Sequence, residues 1–127
     1  MVEKLVEIGI LFDFYGKLLT EKQYRIVDLF YIEDFSLSEI GEELNITRQG
    51  VYDTLKRAEE KLYQYESTLG LANKFKESHM NIKRILKLTK DIKGFIDTDD
   101  YKKIKDSAEK IEDIGLEILE NSWEVMD

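Results

Sequence analysis

Cysteine and proline are both absent from the 127-residue chain. Without cysteine there can be no disulfide, no thiolate catalysis and no cysteine-ligated zinc, and the absence agrees with a reducing compartment. Without proline, no fixed ring forbids helix at any position. No window holds the roughly 20 apolar residues of a membrane span. The N-terminus lacks the basic segment and apolar stretch of a signal peptide, so we expect a cytoplasmic protein with no membrane span.

Histidine is scarce as well, since His79 is the only one and no partner for it can be named. The sequence contains no phosphate-binding loop, no HExxH pair and no nucleophile elbow. The carboxylates of Asp97, Asp99 and Asp100 favour a solvated turn and helix cap over a cation site. We therefore expect a protein that is not an enzyme and has no cofactor and no metal.

Charge is abundant but unevenly distributed. The formal net charge is −8, and 36% of the residues are charged. Residues 72–96 contain seven basic and two acidic side chains, whereas eleven acidic and four basic residues follow from Asp97 onward. Neutralising phosphates with lysine and arginine supplies most of the affinity of generic nucleic-acid binders. Any contact with DNA or RNA must therefore come from a local patch.

The spacing of apolar residues predicts an all-α fold. Capping boxes begin helices after Thr20 and Ser36, Thr47 caps another, and Gly16 and Gly70 are expected to end helices in the left-handed conformation. The predicted helices are 2–15, 21–33, 37–44, 48–69, 72–96 and about 100–122. We divide the chain into a helix-turn-helix core, residues 1–70, and a C-terminal helical hairpin, residues 71–127.

The two C-terminal helices each show one apolar seam. We predict inner positions Phe75, Ile82, Ile85, Thr89, Ile92 and Ile96 in the fifth helix, and Tyr101, Ile104, Ala108, Ile111, Gly115, Ile118 and Ser122 in the sixth. A possible basic patch consists of Lys83, Arg84, Lys87 and Lys90. It could bind nucleic-acid phosphates or anionic lipid, or neutralise the acidic sixth helix, and the last interpretation is favoured.

A helix-turn-helix is predicted between Leu37 and Leu55. Gly41 would allow two helices to approach closely, Asn45 accepts a positive φ in the turn, and Thr47 caps the second helix. Apolar residues fill the gap between the helices at Ile40, Leu44, Ile46, Val51 and Leu55. The alternative is an ordinary antiparallel helix pair, but a mid-helix glycine costs about 1 kcal/mol and needs a packing reason.

The stretch from Leu19-Thr20-Glu21-Lys22-Gln23 through Ser36-Leu37-Ser38-Glu39-Ile40-Gly41 to Thr47-Arg48-Gln49-Gly50-Val51 resembles region 4 of bacterial sigma factors. Ile10-Leu11-Phe12-Asp13-Phe14-Tyr15-Gly16, Arg48-Gln49-Gly50-Val51-Tyr52-Asp53 and the segment 62–71 resemble the YlxM family. This resemblance covers residues 5–72. It implies a short helix-turn-helix regulatory protein, an accessory of the bacterial signal recognition particle pathway, whose genes neighbour those of the pathway. The partner would be the protein or the RNA of that particle.

The outer face of the fourth helix is the candidate contact surface. Its residues are Thr47, Arg48, Gln49, Tyr52, Asp53, Lys56 and Arg57. Arginine can pair with guanine and glutamine with adenine in the major groove, and Lys56 and Arg57 could reach phosphates. Asp53, Glu59 and Glu60 would repel a phosphate backbone. The alternative function is therefore a sequence-specific DNA-binding transcription regulator, and a protein-facing helix remains open.

The first two helices have apolar faces too wide for a core of about 70 residues to cover. Such patches usually mark an interface. We predict a homodimer held by the first helix and the C-terminal hairpin, with Phe12, Phe14, Ile111 and Ile118 as contacts. The alternative is that the hairpin folds back on its own core.

Overall fold

The computed structural model describes residues 2–121, which are almost entirely helical and contain no strand. The helices are α1 (Val2–Tyr15), α2 (Glu21–Val27), α3 (Leu37–Leu44), α4 (Arg48–Leu69), α5 (Leu71–Asp97) and α6 (Tyr101–Glu120). A 3-10 turn, Gly16–Leu18, follows α1, and a π-helical segment, Asp28–Ile32, continues α2. The all-α prediction is confirmed.

The helix starts are fixed by the side chains that the sequence indicated. The Thr20 hydroxyl accepts a hydrogen bond from the Gln23 amide at 3.2 Å, and the Gln23 side chain accepts one from the Thr20 amide at 3.1 Å. Ser36 and Glu39 form the same reciprocal pair before α3. These caps satisfy amides that have no partner within the helix. At the other end, Gly70 ends α4 with φ of +62°.

Two local features differ from the prediction. Gly16 is not left-handed but begins the 3-10 turn. A Cβ atom there would lie 2.9 Å from the Phe12 ring and 3.2 Å from the Tyr24 ring, so glycine provides room for aromatic packing. The predicted second helix also changes to π-helical geometry after Val27 and ends near Asp34, whose φ is +61°.

Contacts between Cα atoms divide the chain into two compact units, Met1–Asn73 and Lys74–Asp127. In the first unit α4 packs against α1, α2 and α3. The core is built from the aliphatic and aromatic side chains that all four helices bury. Its members include Ile8, Leu11, Phe12, Tyr15, Leu19, Ile26, Val27, Ile40, Val51, Leu55, Ala58 and Leu62.

Two carboxylates of α4 connect this core to other elements. Glu59 is buried, accepts a hydrogen bond from the Tyr31 hydroxyl and lies 3.3 Å from the Lys4 ammonium. Glu66 accepts hydrogen bonds from the Tyr15 hydroxyl and, at 3.0 Å each, from the amides of Ala72 and Asn73. Glu66 therefore caps the start of α5 from the preceding helix.

In the second unit only Ser107 and Ile114 are buried among the described residues. Within this unit, the half-buried apolar side chains of α5 are Ile85, Leu88, Ile92 and Phe95, and those of α6 are Ile104 and Ile111. Several predicted inner positions are instead exposed, namely Phe75, Ile82, Thr89, Ile96, Tyr101, Ala108 and Ile118. Ser122 lies outside the described residues. For α5 the error arises because this helix has two apolar stripes at helical spacing, and periodicity alone does not select between them.

Candidate binding surface on the helix-turn-helix

The crossing of α3 and α4 has the geometry of a helix-turn-helix. A Cβ atom on Gly41 would lie 2.8 Å from the carbonyl oxygen of Ile46, a distance that real Cβ atoms do not show. The Ile46 amide donates to the Gly41 carbonyl at 2.9 Å, and Asn45 is left-handed with φ of 57° and ψ of 47°. The predicted roles of Gly41 and Asn45 are therefore confirmed. The three-residue turn ends at Thr47, whose hydroxyl accepts from the Gly50 amide at 2.9 Å.

This crossing leaves the first three turns of α4 with one side in the core and one side exposed. Val51 is 0% exposed and Leu55 5%, whereas Tyr52, on the other side, is 42% exposed. All seven predicted contact residues are exposed: Thr47, Arg48, Gln49, Tyr52, Asp53, Lys56 and Arg57. We call these seven residues the α4 face.

The α4 face has mixed charge. The Gln49 side-chain amide donates to the Asp53 carboxylate at 3.0 Å, and the Lys56 ammonium lies 5.8 Å from the centre of the Tyr52 ring. Within residues 2–121, Arg48 and Lys56 have no carboxylate within 4 Å of their charged groups. The face therefore combines exposed cations with the Asp53 carboxylate, which accepts a hydrogen bond from the Gln49 side-chain amide.

The neighbouring α3 contributes negative charge. Glu39, Glu42 and Glu43 are all exposed. The Ser36 backbone amide and hydroxyl, which hydrogen-bond Glu39, lower the pKa of that carboxyl, so it stays ionised. Glu43 lies 3.7 Å from the Arg25 guanidinium. The surface beside the α4 face is thus acidic.

One predicted source of repulsion is wrong. Glu59 does not oppose a ligand of the α4 face, because it is buried and paired with Lys4 and Tyr31. Burial with these partners raises the pKa of the Tyr31 phenol. The sequence does contain the apolar spacing of Leu55, Ala58 and Leu62, which brackets Glu59 on the inner side, and this signal could have placed it inward. Glu60 is exposed, as expected.

The predicted basic patch lies on the surface of α5. Lys83, Arg84, Lys87 and Lys90 are all exposed. Arg84 and Lys87 line an open cleft of about 350 Å³ together with Lys110, Asp113 and Glu117 of α6. Among the described residues no lysine or arginine of α5 lies within 4 Å of a carboxylate oxygen of α6. Within residues 2–121, direct ion pairs therefore do not occupy this patch.

The predicted dimer contacts occupy different environments. Phe12 is 7% exposed and its ring centre lies 4.7 Å from that of Tyr24, so it belongs to the core of its own unit, and its assignment to an interface is corrected. Phe14 is 37% exposed and Ile118 38%, and Ile111 is half-buried.

The part of the chain that the structure describes offers few other groups that could form a functional site. No group of three or more histidine, cysteine, aspartate or glutamate residues is arranged to hold a metal ion there. His79 is exposed on α5. None of the described helices combines the length and the apolar character needed to cross a bilayer.

The sequence model of the UPF0122 family, described as "Putative helix-turn-helix protein, YlxM / p13 like", matches residues 2–114 and so extends beyond residue 72 into α6. A UPF0122 protein of Acetivibrio thermocellus is 44% identical over 117 residues, which cover 89% of this chain and 97% of that protein. A UPF0122 protein of Desulforamulus reducens is 49% identical over 82 residues (65% and 70%), and one of Listeria monocytogenes is 40% identical over 115 residues (90% and 99%). The chain belongs to the UPF0122 family of YlxM / p13-like proteins.

Proposed function

We propose that this protein is a non-enzymatic helix-turn-helix regulator that acts as an accessory component of the bacterial signal recognition particle pathway. The family match supports the helix-turn-helix part of this proposal, and the resemblance to YlxM proteins implies the pathway. The α4 face is the proposed contact with the protein or the RNA of the particle.

The observation that carries this proposal is the mixed charge of the α4 face. Arg48 and Lys56 are exposed, but Asp53 lies beside them and holds the Gln49 amide. Residues 1–66 contain eight basic and fourteen acidic side chains. A long duplex backbone would meet repulsion over much of this unit. A folded protein or a compact RNA site can place opposite charges against each cation and each carboxylate.

Binding to the purified particle protein, to its RNA and to their complex tests the proposal by fluorescence anisotropy. We expect Arg48→Ala to weaken binding by about tenfold, as the loss of one well-placed charged contact does. Lys22→Ala is the matched control, because Lys22 is an exposed cation on α2 and lies outside the α4 face. Failure to bind any of the three, or equal loss with Lys22→Ala, would contradict the proposal.

The second candidate is a sequence-specific DNA-binding transcription regulator. One observation favours it: Arg48 and Gln49 stand exposed in the first turn of a capped recognition helix, where helix-turn-helix proteins contact base edges. Gln49 could read adenine only after leaving Asp53, so Asp53→Ala should strengthen binding to the correct site. Selection from random duplexes would reveal such a site, and Arg48→Ala should then cost about 1–3 kcal/mol. Tight, sequence-blind binding that survives Arg48→Ala would place the contact elsewhere.

A further inference from the structure

Helix α1 is apolar on two opposite faces. One face packs in the core through Ile8, Leu11, Phe12 and Tyr15. The other face consists of Val2, Leu5, Val6 and Ile10, which are 72%, 49%, 57% and 45% exposed. We call these four residues the α1 stripe. Their spacing of three and four residues places them on one side of the helix, so together they form a continuous exposed patch.

Helix α5 also has apolar side chains on two of its sides. Leu88 and Ile92 are half-buried on one side of the helix. Ile82, Leu86 and Ile96 recur at intervals of four and ten residues on a neighbouring side and are 55%, 63% and 56% exposed. We call these three residues the α5 stripe. Between Leu86 and Ile96 the same side also carries the exposed residues Thr89 and Lys93. Exposed apolar patches of this kind on a charged protein usually mark an interaction surface.

The charges beside the two stripes are opposite in sign. Glu3 and Asp13 are exposed on α1, in a unit with an excess of acidic residues. On α5, Lys83 and Lys90 flank the stripe and Lys93 lies within it; all three are exposed, in a segment with seven basic and two acidic residues. The α1 stripe extends over about 12 Å of helix from Val2 to Ile10, so it fits within the roughly 21 Å from Ile82 to Ile96 on α5.

We propose that the occupant of each stripe is a second copy of this chain. The α1 stripe of one copy packs against the α5 stripe of the other, and two-fold symmetry repeats the contact. Apolar burial supplies the attraction, and the flanking charges select this pairing over α1 with α1 or α5 with α5, where like charges would meet. A closed two-fold dimer covers both stripes of both copies, and such dimers are the commonest symmetric assembly.

Sedimentation equilibrium of the whole chain at micromolar concentrations tests the proposal. We expect a reversible dimer of twice the 15.0 kDa chain mass. Ile10→Glu and Leu86→Glu should each weaken dimerisation by about tenfold or more, since each places a carboxylate in an apolar contact. A chain mass of 15.0 kDa throughout that range would overturn the proposal.

Met80→Glu is the matched control for Leu86→Glu. Met80 is 54% exposed on α5, but its helical phase is about 160° from the centre of the α5 stripe. This variant should dimerise like the wild type. If it disrupts the dimer as strongly as Leu86→Glu, the α5 stripe is not the contact. Far-ultraviolet circular dichroism shows that each variant is folded before it is compared.

A charge exchange tests which helices pair. Lys83→Glu with Lys90→Glu should weaken the dimer, and so should Glu3→Lys with Asp13→Lys. All four changes in one chain restore opposite charges across an α1–α5 contact, and dimerisation should recover by at least about tenfold relative to either pair. No recovery would contradict the proposed pairing even if a dimer exists.

Discussion

Gly41 is the residue on which the helix-turn-helix geometry depends most directly. Any side chain there meets the Ile46 carbonyl, which is backbone and cannot rotate away. We expect Gly41→Ala to destabilise the protein by about 1–3 kcal/mol, the usual cost of overpacking, although alanine is the better helix former. Urea unfolding followed by circular dichroism measures the change.

Gly9→Ala is the corresponding control in the same unit. Gly9 lies within α1, and nothing lies within 4 Å of a Cβ atom added there. This substitution should stabilise the protein by up to about 1 kcal/mol. If Gly41→Ala and Gly9→Ala raise the free energy of unfolding equally, α3 and α4 do not cross as closely as described.

The sequence predicted the backbone conformation correctly at positions where a left-handed turn requires asparagine or glycine. Asn45 and Gly70 were expected to be left-handed, and both are. Gly16 was expected to be left-handed for the same reason, yet it serves the packing of Phe12 and Tyr24. A glycine can supply either conformational freedom or space, and the sequence around it does not distinguish these uses.

Among the elements, the start of α5 has a pH-dependent stabilisation. Hydrogen bonds from the Tyr15 hydroxyl and from the Ala72 and Asn73 amides hold the pKa of Glu66 below its ordinary value of 4.5. Because folding lowers this pKa, the ionised carboxylate stabilises the folded state fully above about pH 4.5. That contribution is lost as the pH falls through the lowered value.

Glu66→Gln should therefore lower the melting temperature near neutral pH by a few degrees, and the difference from the wild type should shrink below about pH 4. Melting curves between about pH 3 and pH 7 measure this. Glu60→Gln is the control, since Glu60 is exposed on the same helix. A difference that stays constant over the whole pH range would mean that ionisation of Glu66 does not contribute.

The bounds of the helices could be predicted from the sequence more completely than the side that each helix buries. Capping side chains mark the starts of α2, α3 and α4, and these bounds agree with the structure. The buried side of α5 could not be predicted, because Ile82 and Leu86 form as regular a stripe as Leu88 and Ile92. Local hydrogen bonds fix a cap, whereas the choice of face depends on which neighbour is present.

The exposure of the candidate contact residues on α4 could be predicted from the sequence. Exposed positions follow from the buried ones once Val51 and Leu55 are assigned to the core. The hydrogen bond between Gln49 and Asp53 was not predicted, because each side chain has several rotamers and the sequence gives only their four-residue spacing. The burial of Glu59 depends on Lys4 and Tyr31, which are distant in sequence.

For the whole molecule, the two units should differ in local stability. The first unit buries many large side chains completely, whereas α5 has no buried residue and α6 has two. Hydrogen exchange measured by mass spectrometry should show the amides of α4 near Val51–Leu62 protected longest and those of α6 exchanging sooner. Uniform protection of α4 and α6 at low concentration would contradict this.

Hydrogen exchange measured at several protein concentrations provides a second test on the same sample. If a second copy covers the α5 stripe, protection of α5 should rise with protein concentration, because association stabilises only the folded state that it binds. Protection of α4 at its buried positions should change less. Rising protection in α4 alone would point to a different interface.

The hydrogen bonds received by Glu66 also determine where this protein can be shortened. Gly70 ends α4 and looks like the natural place to separate the helix-turn-helix from the rest, yet the amides that Glu66 and Tyr15 bind belong to Leu71, Ala72 and Asn73. A fragment that stops at Gly70 would leave a buried hydroxyl and a carboxylate without these donors. A useful excision of the helix-turn-helix should therefore retain the first turn of α5 and end after Asn73.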